Sequence, residues 1–316
     1  MDYIWQTEGI TKEFNTPGGI FSGKEKTVYA LNGISLQQAP GETLGIVGES
    51  GCGKSTFGRV LMGLYAPTSG TLRVGDRTID TETARKTLHH TFQMVFQDPY
   101  ASLNPRMTVR QTLEEPLRRM GVKEATVRSE RIRGILEQVG LRPSYSERYP
   151  HEFSGGQLQR VGIARALISN PSCIICDEPI SALDVSIQVQ IITLLERLQA
   201  DTNISYVFIS HDLSMVRYLS HRIAVMYLGY VVEEGTTEEL YNHPLHPYTQ
   251  ALIRLHQPIA PRMPIGPVPQ GEVPSPLQKP KGCPFASRCP EKEERCMEAW
   301  PQLTGNDVHR VACWKR

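Results

Sequence analysis

The sequence predicts an α/β fold, and three observations carry that prediction. A brief apolar strand, Glu42 to Val47, feeds the glycine-rich stretch Gly48-Glu49-Ser50-Gly51-Cys52-Gly53-Lys54-Ser55-Thr56, and helical character follows from Ser55 to Leu64, before Pro67 and Gly70. Farther along, apolar strands at Cys173–Cys176, Tyr206–Ser210 and Ile223–Tyr227 alternate with a helix after Asp184, whose Ile187, Ile191, Leu194, Leu195 and Leu198 share one buried face. Between these stretches, from about Thr108 to Val139, the pattern is helical, because Val127, Ile132, Ile135, Leu136 and Val139 recur near helical spacing with charges between them.

Composition bounds the function. A chain of 316 residues can bury a sizeable core and carry two compact units. A net charge of +1 gives no electrostatic reason to expect nucleic acid or an anionic membrane surface. With 21% charged and 40% hydrophobic residues, the chain reads as globular rather than disordered. No apolar run approaches the roughly 18 to 20 residues that cross a bilayer. The opening Met1-Asp2-Tyr3-Ile4-Trp5 has no basic region ahead of an apolar core, so no secretory signal is expected. The protein is expected in the cytosol, or held at a membrane by another component.

The spacing Gly48-x4-Gly53-Lys54-Ser55 satisfies the P-loop pattern, and a strand before it and a helix after it are the context that pattern needs. The backbone of Gly48, Ser50, Gly51, Cys52 and Gly53 would turn N–H groups onto a β-phosphate, with the positive end of the next helix behind them. Lys54 would reach the β- and γ-phosphates, Ser55 would bind Mg²⁺, and Thr56 would add an α-phosphate contact. ATP with Mg²⁺ is the expected ligand.

Cys173-Ile174-Ile175-Cys176-Asp177-Glu178-Pro179 delivers two carboxylates at the end of a strand. Asp177 suits a Mg²⁺ ligand and Glu178 a base that polarises water, although such a pair is also an ordinary solvated strand end. His211, at the tip of the following strand, is either a polar loop residue or a γ-phosphate contact. Gln97, in Phe96-Gln97-Asp98-Pro99, is unremarkable alone but can serve Mg²⁺ and the attacking water.

In order, Gly48–Thr56, Gln97, Phe153-Ser154-Gly155-Gly156-Gln157, Asp177-Glu178, Ser181-Ala182-Leu183-Asp184 and His211 resemble the nucleotide-binding subunit of ABC transporters, over about residues 3 to 255. The resemblance implies a P-loop NTPase core with an antiparallel β subdomain and a helical subdomain (about 98–160) inside a nucleotide-binding domain spanning 1–255. It implies that two subunits sandwich two ATP molecules, with Ser154, Gly155, Gly156 and Gln157 capping the γ-phosphate held by the partner's loop. A helix opening at Gly155 and running to Asn170 suits that role. Asp184 would lie at the dimer seam, and His211 would join γ-phosphate to the opposite subunit. Phe14 is similar to the family's adenine-stacking aromatic, with Tyr29 as its rival.

A narrower likeness lies in Gln97-Asp98-Pro99-Tyr100-Ala101-Ser102-Leu103-Asn104-Pro105 and in His246-Pro247-Tyr248-Thr249-Gln250-Ala251-Leu252. Both resemble the oligopeptide/dipeptide importer branch, which also includes nickel importers, and the first is closest to its second ATPase subunit. That implies ATP-driven peptide uptake at the cytoplasmic face of the cell membrane. The partners would be a different ATPase subunit, two permease subunits and an external solute-binding protein, with no nucleic acid. A soluble ABC ATPase acting on ribosomes or DNA is the alternative of another class; the paired cassettes or long coiled coil usual there are missing.

Eleven of the 23 prolines lie between Pro258 and Pro301, too many for regular helices or central strands. Residues 256–282 read as a linker and 283–316 as a small appended unit. Cys283, Cys289, Cys296 and Cys313 offer four thiolates there, which fit structural Zn²⁺ or a [4Fe–4S] cluster better than disulfides in a reducing cytosol. The tail is similar to that of importer members that carry a cluster, which favours the iron–sulfur reading.

Overall fold

The computed structural model describes residues 3–16, 26–256 and 271–316. The strands among them are β1 (Trp5–Thr16), β2 (Lys26–Ile34), β3 (Gln37–Gln38), β4 (Thr43–Val47), β5 (Ser69–Val74), β6 (Arg77–Thr78), β7 (Phe92–Val95), β8 (Cys173–Asp177), β9 (Ser205–Ile209), β10 (Arg222–Tyr227), β11 (Tyr230–Thr236), β12 (Thr304–Gly305) and β13 (His309–Val311). The helices are α1 (Lys54–Leu61), α2 (Glu82–Thr91), α3 (Pro99–Ser102), α4 (Val109–Arg119), α5 (Ala125–Gln138), α6 (Gly155–Leu167), α7 (Val185–Thr202), α8 (Leu213–Leu219), α9 (Thr237–Asn242), α10 (Pro247–His256) and α11 (Arg295–Glu298). Contacts divide the chain into two units, Met1–Thr81 with Ser210–Arg316, and Glu82–Ile209.

In the first unit, β1 is the middle of an antiparallel sheet ordered β2-β1-β5-β6, with β3 also paired to β1. This is the antiparallel β portion that the resemblance implies. Trp5, Thr7 and then Ile10 turn inward, a phase jump made at Gly9, whose φ is +59° and beside which the register shifts. Trp5 Nε1 donates to Gln38 Oε1 at 2.6 Å, and its ring packs edge-on against Phe57 of α1. A second sheet in this unit is ordered β12-β13-β11-β10-β4, with β10 and β4 parallel and the other neighbours antiparallel. All five residues of β4 are buried, as a strand covered on both faces requires.

The C-terminal extension does not stand apart as the small appended unit expected. Its strand β13 extends β11, pairing Glu233 with Val311 and Glu234 with Arg310. The physical reason is charge: Glu233 and Glu234 are buried on β11, and a buried carboxylate needs a partner. His309 Nε2 lies 2.7 Å from Glu233 Oε1, while Arg310 and Arg222 pair with Glu234. Residues 257–270 of the expected linker lie outside the described residues. Of its remainder, Pro276 accepts the backbone N–H of Tyr29 on β2 at 2.9 Å.

In the second unit, β9-β8-β7 is a parallel sheet, with β8 and β9 buried along their whole length. The expected helical stretch resolves into α4 and α5, separated at Gly121. Thr108 starts α4 with a capping box closed by Gln111. On α7, Ile191, Leu194, Leu195 and Leu198 are buried as expected, but Ile187 is only half-buried. Two helices stop earlier than expected. Helix α1 ends at Leu61 ahead of Gly63, and α6 ends at Leu167 ahead of Asn170, which adopts a left-handed conformation. The sequence gives no sign of helix α2 (Glu82–Thr91), which is largely polar; among its described side chains Leu88 is the one buried in the core.

Candidate active site

The phosphate loop of the first unit joins β4 to α1. Gly53 caps α1 with φ +102°, and a Cβ there would lie 2.4 Å from the Ala30 carbonyl oxygen, so only glycine fits. Lys54 is buried and its ammonium is folded onto the loop, donating to the carbonyls of Gly48 at 2.7 Å and Glu49 at 3.0 Å. Cys52 lies beneath it, and burial raises its thiol pKa against the opposing pull of Lys54, so the sulfur stays neutral. The Glu49 N–H is held by Tyr248 Oη at 2.8 Å. Sequence reading marked Tyr248 only as part of a family motif, because nothing local says where its hydroxyl goes.

His211 is exposed in the same unit, followed by Asp212, which caps α8 by accepting from the Ser214 and Met215 N–H groups. Phe14 packs edge-on against Tyr65, centroids 5.3 Å apart, with the Lys12 ammonium 5.0 Å from its ring. Tyr29 pairs with Glu13 while Phe14 pairs with Val28. Adjacent residues on a strand face opposite sides, so Phe14 and Tyr29 lie on opposite faces of the sheet. Only one of them can serve a common ligand.

In the second unit, β8 ends in buried Asp177, and half-buried Glu178 follows it. Glu178 has φ +49°, a left-handed conformation costly for a residue with a Cβ, and its N–H donates to the Ile209 carbonyl at 2.9 Å. Gln97 Nε2 donates to Glu178 Oε2 at 3.1 Å, so two residues 81 apart meet as one polar pair. Asp98, next to Gln97, caps α3. The backbone turn after Glu178 is closed by Ser181 Oγ, which donates to the Glu178 carbonyl at 3.1 Å. Asp184 is exposed at the N-cap of α7 and makes no side-chain cap bond.

Ser154 and Gln157 form a reciprocal capping box at the start of α6: the Gln157 N–H donates to Ser154 Oγ at 3.4 Å, and the Ser154 N–H donates to Gln157 Oε1 at 3.1 Å. The helix start is where the sequence places it, and each of the two side chains accepts the backbone N–H of the other residue. Gly156 is buried, and a Cβ there would meet Ile187 Cγ2 at 2.5 Å. Phe153 is buried edge-on against Tyr145.

The four tail cysteines all line one cavity of about 20 Å³, together with His246 and Trp314. Among the described residues no group of three or more His, Cys, Asp or Glu side chains is placed to hold a metal ion. Burial pushes the Cys283 thiol up to about 12 and also raises Cys289.

Residues 31–181 match the ABC transporter family, and residues 232–296 match the oligopeptide/dipeptide transporter C-terminal region. The chain is 49% identical to the oligopeptide transport ATP-binding protein AppF of Bacillus subtilis, over 99% of this chain and 97% of that protein. It is 47% identical to OppF of Escherichia coli, over 92% and 89%, and 44% identical to the di/tripeptide transport protein DppF of Pseudomonas aeruginosa, over 99% and 98%. A dimeric ATP-binding cassette solved with ADP and Pi superposes with a TM-score of 0.65 and 30% identity, over 74% of this chain and 98% of that one. The chain therefore belongs to the ABC transporter family of ATP-binding proteins, in its oligopeptide/dipeptide transporter branch.

Proposed function

We propose that this protein is the ATPase subunit of an importer that takes up di- and oligopeptides through partner permease subunits. The observation that carries the reading is the combination, in one chain, of an intact phosphate loop ending in Lys54 and Ser55 with the Gln97–Glu178 pair at 3.1 Å. Catalysis of phosphoryl transfer is mostly positioning and charge stabilisation, and these residues supply both. Lys54 exchanges its two loop carbonyls for the β- and γ-phosphates. The hydroxyl of Ser55, the carboxylate of Asp177 and Gln97 would hold Mg²⁺, which would supply positive charge against the phosphates. Glu178 takes a proton from the attacking water, with Gln97 and His211 aligning it, and Phe14 stacks on adenine.

In this reading Ser154, Gly155, Gly156 and Gln157 cap the nucleotide of a facing ATPase subunit, and Asp184 lies at that seam. Ser154 and Asp184 are exposed, and Val185 and Val189 on α7 are exposed apolar residues, which an interface would cover. The facing subunit is a second, different ATPase, and the complex includes two permease subunits and an external solute-binding protein, with no nucleic acid. Among the described residues no helix is long and apolar enough to cross a membrane, and a peripheral position on the cytoplasmic face follows from docking to the permeases. Residues 1–255 act as the nucleotide-binding domain, with a helical part at about 98–160, and 256–316 as its extension. Purifying the chain with its partner ATPase and permeases into proteoliposomes, adding the solute-binding protein, and measuring ATP-dependent uptake of a labelled peptide tests the function; ATP hydrolysis that no peptide stimulates and no uptake accompanies refutes it.

The gathering of four thiols on one cavity supports a [4Fe–4S] cluster in the tail, with Zn²⁺ as the alternative. Either requires the thiols to lose their protons as the metal enters. Brown protein after anaerobic purification, bleached in Cys289→Ser, is the expected result. Colourless protein with one equivalent of zinc gives the alternative, and protein with neither metal refutes both.

A further inference from the structure

Glu49 brings the only carboxylate of the Gly48–Thr56 loop, and its cationic partner comes from the other end of the chain. Arg288 Nη1 donates to Glu49 Oε2 at 2.8 Å and Oε1 at 3.0 Å, and to Tyr227 Oη at 3.3 Å. The pair is well shielded, with 10% of the Arg288 side chain and 27% of Glu49 exposed. An arginine guanidinium keeps its charge in a protein, so the Arg288–Glu49 contact is an ion pair.

The same stretch of tail supports the loop a second way. Phe285, three residues before Arg288, is wholly buried against both Tyr227 and Tyr248, at centroid distances of 5.3 and 5.4 Å. Tyr248 is the residue that holds the Glu49 N–H. Its own N–H is received by His246 Nδ1 at 3.1 Å. Tail residues thus reach both the side chain and, through Tyr248, the backbone of the same loop position.

We infer that the segment Cys283–Cys289 braces the phosphate loop, with Arg288 acting as a positioning residue through Glu49. The inference rests on the reading of Gly48–Thr56 as the ATP loop. A triphosphate carries several negative charges, and an unpaired carboxylate in the loop that receives it repels the ligand and competes for Lys54. Arg288 neutralises that carboxylate and fixes its direction, so it neither repels the incoming phosphates nor draws Lys54 away from them.

The test is equilibrium binding of MgATP to the full chain by calorimetry, at low and high salt, with thermal unfolding measured alongside. Arg288→Ala raises the Kd about tenfold at low salt, and added salt shrinks that loss by screening the exposed carboxylate. Adding Glu49→Gln to Arg288→Ala recovers most of the lost affinity, because the repulsion is gone. A merely structural arginine predicts the opposite, with the double variant no better than the single. If Arg288→Ala does not fold, Arg288→Gln keeps a polar, though shorter and uncharged, side chain and reads the same way. A Kd within twofold of the parent chain in a folded Arg288 variant, or no rescue by Glu49→Gln, overturns the inference. A parent chain that binds no MgATP instead overturns the ATP-loop reading beneath it.

Discussion

Alanine at position 156 would place a methyl group where α7 already has one. The added Cβ would lie 2.5 Å from Ile187 Cγ2, against an ordinary carbon–carbon separation of about 3.5 Å, so roughly 1 Å of movement is required. Ile187 cannot supply it by rotating, because a β-branched side chain in a helix has essentially one χ1 rotamer. Helix α6 or α7 must shift instead. Overpacking of this kind costs about 1–3 kcal/mol, and alanine returns up to about 1 kcal/mol in helix propensity. A net loss of about 1–2 kcal/mol is expected for Gly156→Ala. Urea unfolding of the full chain measures it, and Ile187→Ala provides the control because it removes the obstructing methyl. In the double variant the loss falls below the sum of the singles by about 1 kcal/mol. A Gly156→Ala chain as stable as the parent, or strict additivity with Ile187→Ala, refutes the packing argument.

Lys54→Ala removes the ammonium that serves the phosphates, and its MgATP affinity should fall at least tenfold in equilibrium binding while the fold is retained. Glu178→Gln should slow hydrolysis by about 10²–10⁴-fold and leave an ATP-bound dimer that persists in size-exclusion chromatography; undiminished turnover counts against Glu178 as the base. Glu178→Gly should also abolish turnover, yet raise stability by about 1 kcal/mol in the same urea assay, because glycine relieves the +49° φ. Loss of stability there would mean that the carboxylate, rather than the backbone, sets the energy of this turn.

The motifs were legible in the sequence because each is local. A strand, a glycine loop and a lysine-headed helix occupy consecutive residues, and the Ser154–Gln157 helix start is a four-residue signature. Periodicity likewise located β4, β8, β9 and β10 within a residue or two, since strands buried on both faces read as continuous apolar runs. Strand β1 was not legible for the converse reason: the bulge at Gly9 moves the inward face from Thr7 to Ile10, and the alternation that would announce a strand is broken.

Sequence by itself determined the P-loop signature and the order of the candidate catalytic residues, because a P-loop needs only neighbours along the chain. Tertiary structure decided which partners those residues have. It joins Gln97 to Glu178, sets Phe14 and Tyr29 on opposite faces of one sheet, and carries the tail back so that Arg288 meets Glu49. It also turned an expected appendage into a strand of the β11 sheet, where His309 and Arg310 add to the partners of the buried Glu233 and Glu234. Contacts across hundreds of residues depend on how strands pair and where charges are buried, and no local spacing encodes either.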